Sequence, residues 1–314
     1  MVSERLSPLK VWLIAIRPFA LPASTMPVIF GSVAAVTLGA AELHLLHFIL
    51  SLVAMVLLHS GANMLSDVTD FRKGIDTEPT PVSGAVVRGL LPQTTVFHGG
   101  ILFLITGSLI GIYLVTQVGL PLLIIGIIGL VFGVFYTIPP IELKYRALGD
   151  WAVFFDFGIL GAAGAWVVQT KTFSWLPVLW SVPIGLLVIA ILHANNWRDS
   201  ASDTRMGIRT VASILGDTGS LIYYALLLVL PYVLVALFVF APGLTIAPRF
   251  ALPSAALLVF LSLPNAFALW RRARSRHAPR KPLDFIALDG ATAQHNLLFG
   301  VLYIAGILAS LIIH

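Results

Sequence analysis

The 314-residue chain contains no cysteine. That excludes disulfides, thiolate metal sites and cysteine nucleophiles, although it assigns no redox compartment. Charge is also scarce. Asp, Glu, Lys and Arg make up 11% of the residues, against about 25% in a typical soluble domain. With 58% hydrophobic residues and a mean hydropathy of +0.96, this shortage excludes a soluble protein and implies an all-α integral membrane protein. No polar stretch is long enough for a separate soluble domain, so residues 1–314 read as one transmembrane domain. The net charge of +5 does not indicate a nucleic-acid partner, because the basic residues fall in short loops rather than along one face.

A bilayer core about 30 Å thick needs roughly 20 apolar residues per helix. Nine segments qualify, at 18–40, 45–65, 96–117, 119–138, 150–170, 176–197, 219–240, 250–269 and 293–313. Pro22 and Pro27 predict a kink or break in the first, and Pro253 and Pro264 make 250–269 the weakest. Arg17-Pro18 interrupts the apolar run at the start, which reads as a first membrane helix and not as a cleaved signal peptide. Nine spans put every one of the 19 Lys and Arg residues except Lys171 and Arg249 on the side of the N-terminus. The positive-inside rule makes that side cytoplasmic. The expectation is a multi-pass protein of the inner (plasma) membrane, with its C-terminus on the opposite face.

Two acidic clusters lie on the cytoplasmic side, each where an even-numbered helix ends. In "NMLSDVTDFRKGID", Asn63, Asp67 and Asp70 stand at i, i+4 and i+7, on one helical face, and Gly74 and Asp76 follow. In "NNWRDSASDTRMGIRT", Asn195, Asp199 and Asp203 stand at i, i+4 and i+8, with Gly207 ending the helix. This is a weak internal repeat. A single cluster could be a solvated helix end. Two copies argue otherwise, because carboxylates on one face repel and helix C-termini favour cations. Oxygen ligands without His or Cys suit a hard ion such as Mg²⁺. Arg72, Lys73, Arg88, Arg198, Arg205 and Arg209 stand nearby to neutralise phosphate. A diphosphate held between two Asp–Mg²⁺ arms, with a lipid tail in the membrane, follows as the sharpest hypothesis.

These motifs resemble the paired aspartate motifs of the UbiA superfamily of intramembrane prenyltransferases. The resemblance extends to "RPFALPASTMPVIFGS" in the first span, "YTIPPIELKYRALGD" after the fourth and "TAQHNLLFGVLYIAGILA" in the last. "KGIDT", "LKYRALGD" and "NNWRD" are most similar to 1,4-dihydroxy-2-naphthoate polyprenyltransferases and their vitamin K relatives. Ser66, Thr204 and Ile208 depart from residues common in the family, which leaves Arg205 and Arg209 to cover phosphate.

The resemblance implies a UbiA-like bundle whose cytoplasmic loops cap a chamber open sideways to lipid. It also implies a reaction in which an allylic polyprenyl diphosphate ionises and alkylates a small aromatic acceptor, with two Mg²⁺ ions stabilising the leaving group. For dihydroxynaphthoate, CO₂ is lost and demethylmenaquinone results. 4-Hydroxybenzoate, homogentisate and a glycerol lipid are alternative acceptors. Asp67, Asp70, Asp199 and Asp203 are then the expected catalytic metal carriers, assisted by Asn63 and Asn195. Asp76 is a second-tier candidate. Arg72, Lys73, Lys144, Arg205 and Arg209 are candidate diphosphate donors, ahead of Arg17 and Arg88. Tyr136 is either a cation-stabilising ring or an interfacial tyrosine.

Asp156, inside the fifth span, is a functional candidate or a structural hydrogen-bonder. His59, His193 and His295 read as helix-packing residues, and "RRARSRHAPRK" as a topology or anionic-lipid signal. The rival from another class is a transporter, whose acids would sit near the midplane. A non-catalytic assembly subunit is a third reading. The sequence sets no oligomeric state.

The missing cysteines make the orientation directly testable. In sealed right-side-out membranes, a cysteine introduced as Lys171→Cys is expected to react with an impermeant maleimide. One introduced as Arg88→Cys is expected to react only after permeabilisation.

Overall fold

In lipid, backbone groups have to be satisfied within the chain, and a helix does this without a partner segment. The computed structural model describes residues 6–75, 79, 83–240, 251–275 and 288–312, and its regular elements are all helical. They are α1 (Pro8–Ile16), α2 (Pro22–Thr37), α3 (Leu45–Arg72), α4 (Gln93–Val118), α5 (Leu120–Thr137), α6 (Gly149–Val153), α7 (Gly161–Thr170), α8 (Trp175–Arg205), α9 (Val211–Phe240), α10 (Leu263–Arg274) and α11 (Leu288–Ala309). A π-helical segment, Phe154–Leu160, joins α6 to α7. A 3₁₀ segment, Ser254–Ser262, runs into α10.

Eight of these helical stretches are long and apolar enough to cross a membrane, and a ninth is reached if one bent pair counts as a span. That pair is Pro8–Ala20 with Pro22–Thr37, bent by 58°. Arg17 ends α1 in the left-handed region at φ +53°, and Pro22 opens α2. The break therefore falls at Pro22, one of the two prolines expected to make it, while Pro27 lies inside α2. The structure revises several boundaries. The second and sixth spans do not stop where the apolar runs stop, but continue as helix to Arg72 and Arg205. Both acidic motifs thus begin on regular helix. The eighth span is 3₁₀ in its first half, up to Pro264 in the first turn of α10.

The best-packed part of the bundle is α2, α7, α8, α9 and α11, around Phe30, Trp166, Ile184, Leu187, Tyr224 and Tyr303. Small residues let these helices approach closely. A Cβ on Gly31 of α2 would stand 2.2 Å from the Ala162 carbonyl oxygen, and one on Gly158 would stand 2.7 Å from Gly185 Cα. The other side consists of α3, α4 and α5. There α3 packs on α4, while α5 is largely exposed, as a lipid-facing helix should be. The motif helices α3 and α8 both pack on α2.

Gly31→Ala is expected to destabilise the detergent-solubilised protein by about 1–3 kcal/mol, since only backbone could yield to the new methyl. Gly111 of α4 has nothing within 4 Å of a built Cβ. Gly111→Ala is therefore expected to be neutral or slightly stabilising. Equilibrium unfolding of both variants reads the difference.

Candidate active site

The first motif occupies the last three turns of α3. Asn63 donates to the Ile16 carbonyl at 3.4 Å, tying α3 to α1. Asp67 is buried and accepts the Val86 amide at 3.0 Å. The turn that carries Val86 lies directly on this carboxylate, for a Cβ on Gly84 would be 2.1 Å from Asp67 Oδ1. Asp70, one turn on, is also buried. It accepts Lys144 Nζ at 2.6 Å, the Tyr145 hydroxyl at 2.7 Å and the Ser66 hydroxyl at 3.2 Å. Burial, with the Asp70 carboxylate beside it, pushes the Tyr145 hydroxyl well above its usual pKa. It therefore stays protonated and keeps donating. The helix ends at Gly74, φ +71°, a conformation that glycine adopts freely.

The segment after α5 binds both motifs. Lys144 and Tyr145 grip Asp70, and Glu142 forms an ion pair with Lys73. The Lys73 ammonium also sits 4.0 Å from the Tyr145 ring centroid. On its other side the segment pairs with the chain after α8: the Arg209 amide donates to the Tyr145 carbonyl at 3.1 Å, and the Ala147 amide donates to the Arg209 carbonyl at 2.5 Å. Between the motifs lies a cleft of about 270 Å³ lined by Lys73, Ile75, Glu142, Tyr145, Met206 and Ile208.

The second motif occupies the end of α8 and is organised around Arg198. Its Nε and one terminal nitrogen donate to the two oxygens of Asp199 at 2.9 and 2.8 Å. The same nitrogen reaches Asn195 Oδ1 at 2.5 Å, and the other reaches Asp289 of α11 at 2.8 Å. Asp203 is buried, and its carbonyl accepts the Ile208 amide at 2.8 Å as the helix ends. Gly207 takes φ +71°, matching Gly74.

The structure thus joins Asp70, Lys73 and Lys144 around the 142–145 segment, and Asn195 with Asp199 around Arg198. Arg72 lies instead over the Phe97 ring at 5.4 Å. The Arg205 and Arg209 side chains are exposed, and Asp76 lies outside the described residues. Tyr136 packs with Ala23, Val153, Phe157, Val188, Ile191 and Ala293. Sequence reading missed Ser66 as a ligand of Lys144, and missed Glu142, Tyr145 and Asp289. Tyr145 and Glu142 lay in plain view beside Lys144, but nothing in their spacing pointed to α3. His59 bonds Ser24 at 2.7 Å and packs its ring at a tilt against Phe157, as a packing residue does. His193 is buried 3.9 Å from Asp150. Asp156 lies in the π segment, with Gly129 of α5 across from it.

Asp67 Oδ1 is buried without a hydrogen-bond partner among the described residues. Such an orphaned carboxylate oxygen, in a site whose other donors are carboxylate and amide oxygens, fits a hard divalent cation. No group of three or more His, Asp or Glu side chains converges among the described residues. Lys144 and Arg198 occupy the neighbouring carboxylates instead.

The model of the UbiA prenyltransferase family matches residues 24–298. The zebrafish (Danio rerio) protein "UbiA prenyltransferase domain-containing protein 1" is 36% identical over 300 residues, covering 95% of this chain and 83% of the relative. The human (Homo sapiens) protein of the same name is 34% identical over 300 residues, with the same coverage. Among solved structures, a UbiA homolog from Aeropyrum pernix K1 superposes with a TM-score of 0.64 at 17% identity, covering 95% of this chain and 98% of that one. A UbiA homolog from Archaeoglobus fulgidus bound to GPP and Mg²⁺ gives 0.62 at 15% identity, covering 93% and 99%.

Because Gly84 is pressed on Asp67, Gly84→Ala is expected to push the 84–91 turn off the carboxylate and to cost about 1–3 kcal/mol in unfolding. In the Asp67→Gly background the same change is expected to cost much less. A double-variant cycle of unfolding energies measures that coupling.

Proposed function

The chain belongs to the UbiA prenyltransferase family, and from that premise we propose that it moves a polyprenyl group from an allylic diphosphate to an aromatic acceptor with the help of Mg²⁺. The acceptor we favour is 1,4-dihydroxy-2-naphthoate. The observation that carries this reading is the pair of acidic helix ends on one side of the bundle, joined through Lys144, Tyr145 and Arg209 around a shared cleft. Acids at one end of the spans, rather than at mid-depth, also favour an enzyme over a transporter.

In this reading Asp67, Asp70, Asp199 and Asp203 hold the divalent metal, two ions in all, with Asn63 and Asn195 beside them. When bound, the metal supplies Lewis-acid neutralisation of the charge that grows on the leaving diphosphate. The chain's own cations add to that neutralisation. Lys144 and Lys73 are parked on Asp70 and Glu142 and would turn to the diphosphate oxygens. Arg205 and Arg209 approach from the second motif, and Arg72 would have to leave Phe97 to take part. Asp76 would orient Lys73 or join a metal. The allylic carbon–oxygen bond breaks with its electron pair going to the diphosphate. The ring carbon that bears the acceptor's carboxylate, made electron-rich by the hydroxyl groups, then bonds to the allylic carbon. The acceptor carboxylate departs as CO₂ and returns its bonding pair to the ring, which gives the quinol form of demethylmenaquinone. Tyr136, packed among apolar side chains, offers its ring face to the allylic cation. The surrounding helices keep water from it. The loops at Gly74 and Gly207 act as the cap, and the membrane provides space for the tail.

The likeness to dihydroxynaphthoate enzymes and their vitamin K relatives supports this acceptor. The test incubates the purified chain with radiolabelled polyprenyl diphosphate and Mg²⁺, offering dihydroxynaphthoate or 4-hydroxybenzoate. We expect product from the former, none after chelation of Mg²⁺, and a fall in kcat of about 10²-fold or more in Asp67→Ala and Asp199→Ala. Equal product with 4-hydroxybenzoate would overturn the acceptor. Full activity in both variants would overturn the site.

A further inference from the structure

Arg198 presents a difficulty for the second motif. It forms a two-point ion pair with Asp199, and such a pair is neutral as a unit. A neutral pair offers little to a divalent cation. The last helix changes the balance. Asp289, in the first turn of α11, accepts the remaining terminal nitrogen of Arg198 at 2.8 Å. The three groups together carry one net negative charge.

Their burial decides where that charge is available. The side chains of Asp289 and Arg198 are 6% and 11% exposed, whereas that of Asp199 is 39% exposed. The guanidinium is held between a buried carboxylate behind it and an open one in front. Asp199 makes two of the three carboxylate contacts to Arg198, but charges attract more strongly in the protein interior than at its wet edge, so the buried Asp289 takes up part of the Arg198 charge. That leaves Asp199, the most exposed of the three, less fully neutralised than its pair with Arg198 alone would leave it. Asp289 is itself held in place, since one of its oxygens accepts the Gly290 amide at 2.8 Å. It also sits at a helix N-terminus, where a carboxylate is favoured.

We infer that Asp289 is a positioning residue for the second aspartate motif, which shares the Arg198 charge from behind and so leaves the Arg198–Asp199 pair with the net negative charge that attracts a divalent cation. The inference rests on the metal-dependent reading above. It assigns a function to a residue that lies outside both motifs and 90 positions beyond the nearer of them in the chain, counted from Asp199 to Asp289.

The test uses the full chain in detergent and the variants Asp289→Asn and Asp289→Glu. Asparagine keeps an acceptor for Arg198 and removes the charge, while glutamate restores it. Two readouts are followed across a Mg²⁺ titration: the rate of prenyl transfer, and the rise in melting temperature with inorganic pyrophosphate present and no prenyl substrate. In Asp289→Asn the Mg²⁺ midpoint is expected to rise on the order of tenfold in both. The kcat at saturating Mg²⁺ and the melting temperature without Mg²⁺ should stay near those of the parent chain. Asp289→Glu should move both midpoints back toward the parent values. Unchanged midpoints in Asp289→Asn would overturn the inference while leaving the metal reading intact. So would a loss of kcat or of metal-free stability that saturating Mg²⁺ and the glutamate variant fail to restore. A parent chain whose melting and turnover both ignore Mg²⁺ would overturn the metal reading, and this inference with it.

Discussion

A carboxylate at the end of a membrane helix is opposed by the helix dipole and by its acidic neighbours, and it needs positive charge or hydrogen-bond donors beside it. Asp70 meets that requirement through Lys144, which comes from a different loop. Much of this end of the bundle follows from that one pair. Holding Lys144 on Asp70 brings Tyr145 to the same carboxylate and Glu142 to Lys73. The backbone on either side of Tyr145 is then placed to pair with Arg209. The end of α3, the segment after α5 and the end of α8 become one connected surface, with the cleft between them. The spans beneath need only deliver three chain ends to the right places. Close contacts such as Gly31 against Ala162 hold them there.

The parts of this arrangement that are periodic were readable in the sequence. Nine apolar stretches gave the membrane architecture. The i, i+4, i+7 and i, i+4, i+8 spacings gave two acidic faces, and Gly74 and Gly207 marked where the helices stop. The bend ahead of α2 was legible from Pro22. The continuation of α3 and α8 beyond their apolar runs was visible only as motif spacing, because hydropathy falls before the helix does. Partners across the fold left no local trace. Asp289 reads as an ordinary first-turn acid of the last helix, and its approach to Arg198 depends on how α11 packs against α8. Glu142 takes a left-handed backbone conformation at φ +50° that its residue type would not suggest. The π-helical turn around Asp156 is equally unannounced, since it depends on how the fifth span meets its neighbours.

The two motifs are alike in sequence and unlike in wiring. In the first, the cation on the outer carboxylate is Lys144, from another loop, and the inner Asp67 is covered by a turn of backbone. In the second, the cation is Arg198, from within the motif, and its counter-charge comes from the last helix. A lysine on a flexible stem can leave its carboxylate for a phosphate at small cost. An arginine locked by Asn195, Asp199 and Asp289 cannot leave without breaking several charge-assisted hydrogen bonds. The first motif is therefore built to exchange partners, and the second to stay fixed. Under the proposed function, a site that takes a polyprenyl diphosphate would benefit from that division, with one arm that yields as the ligand enters and one that holds its position. The repeat supplied two similar helix ends, and the loops around them made the ends different.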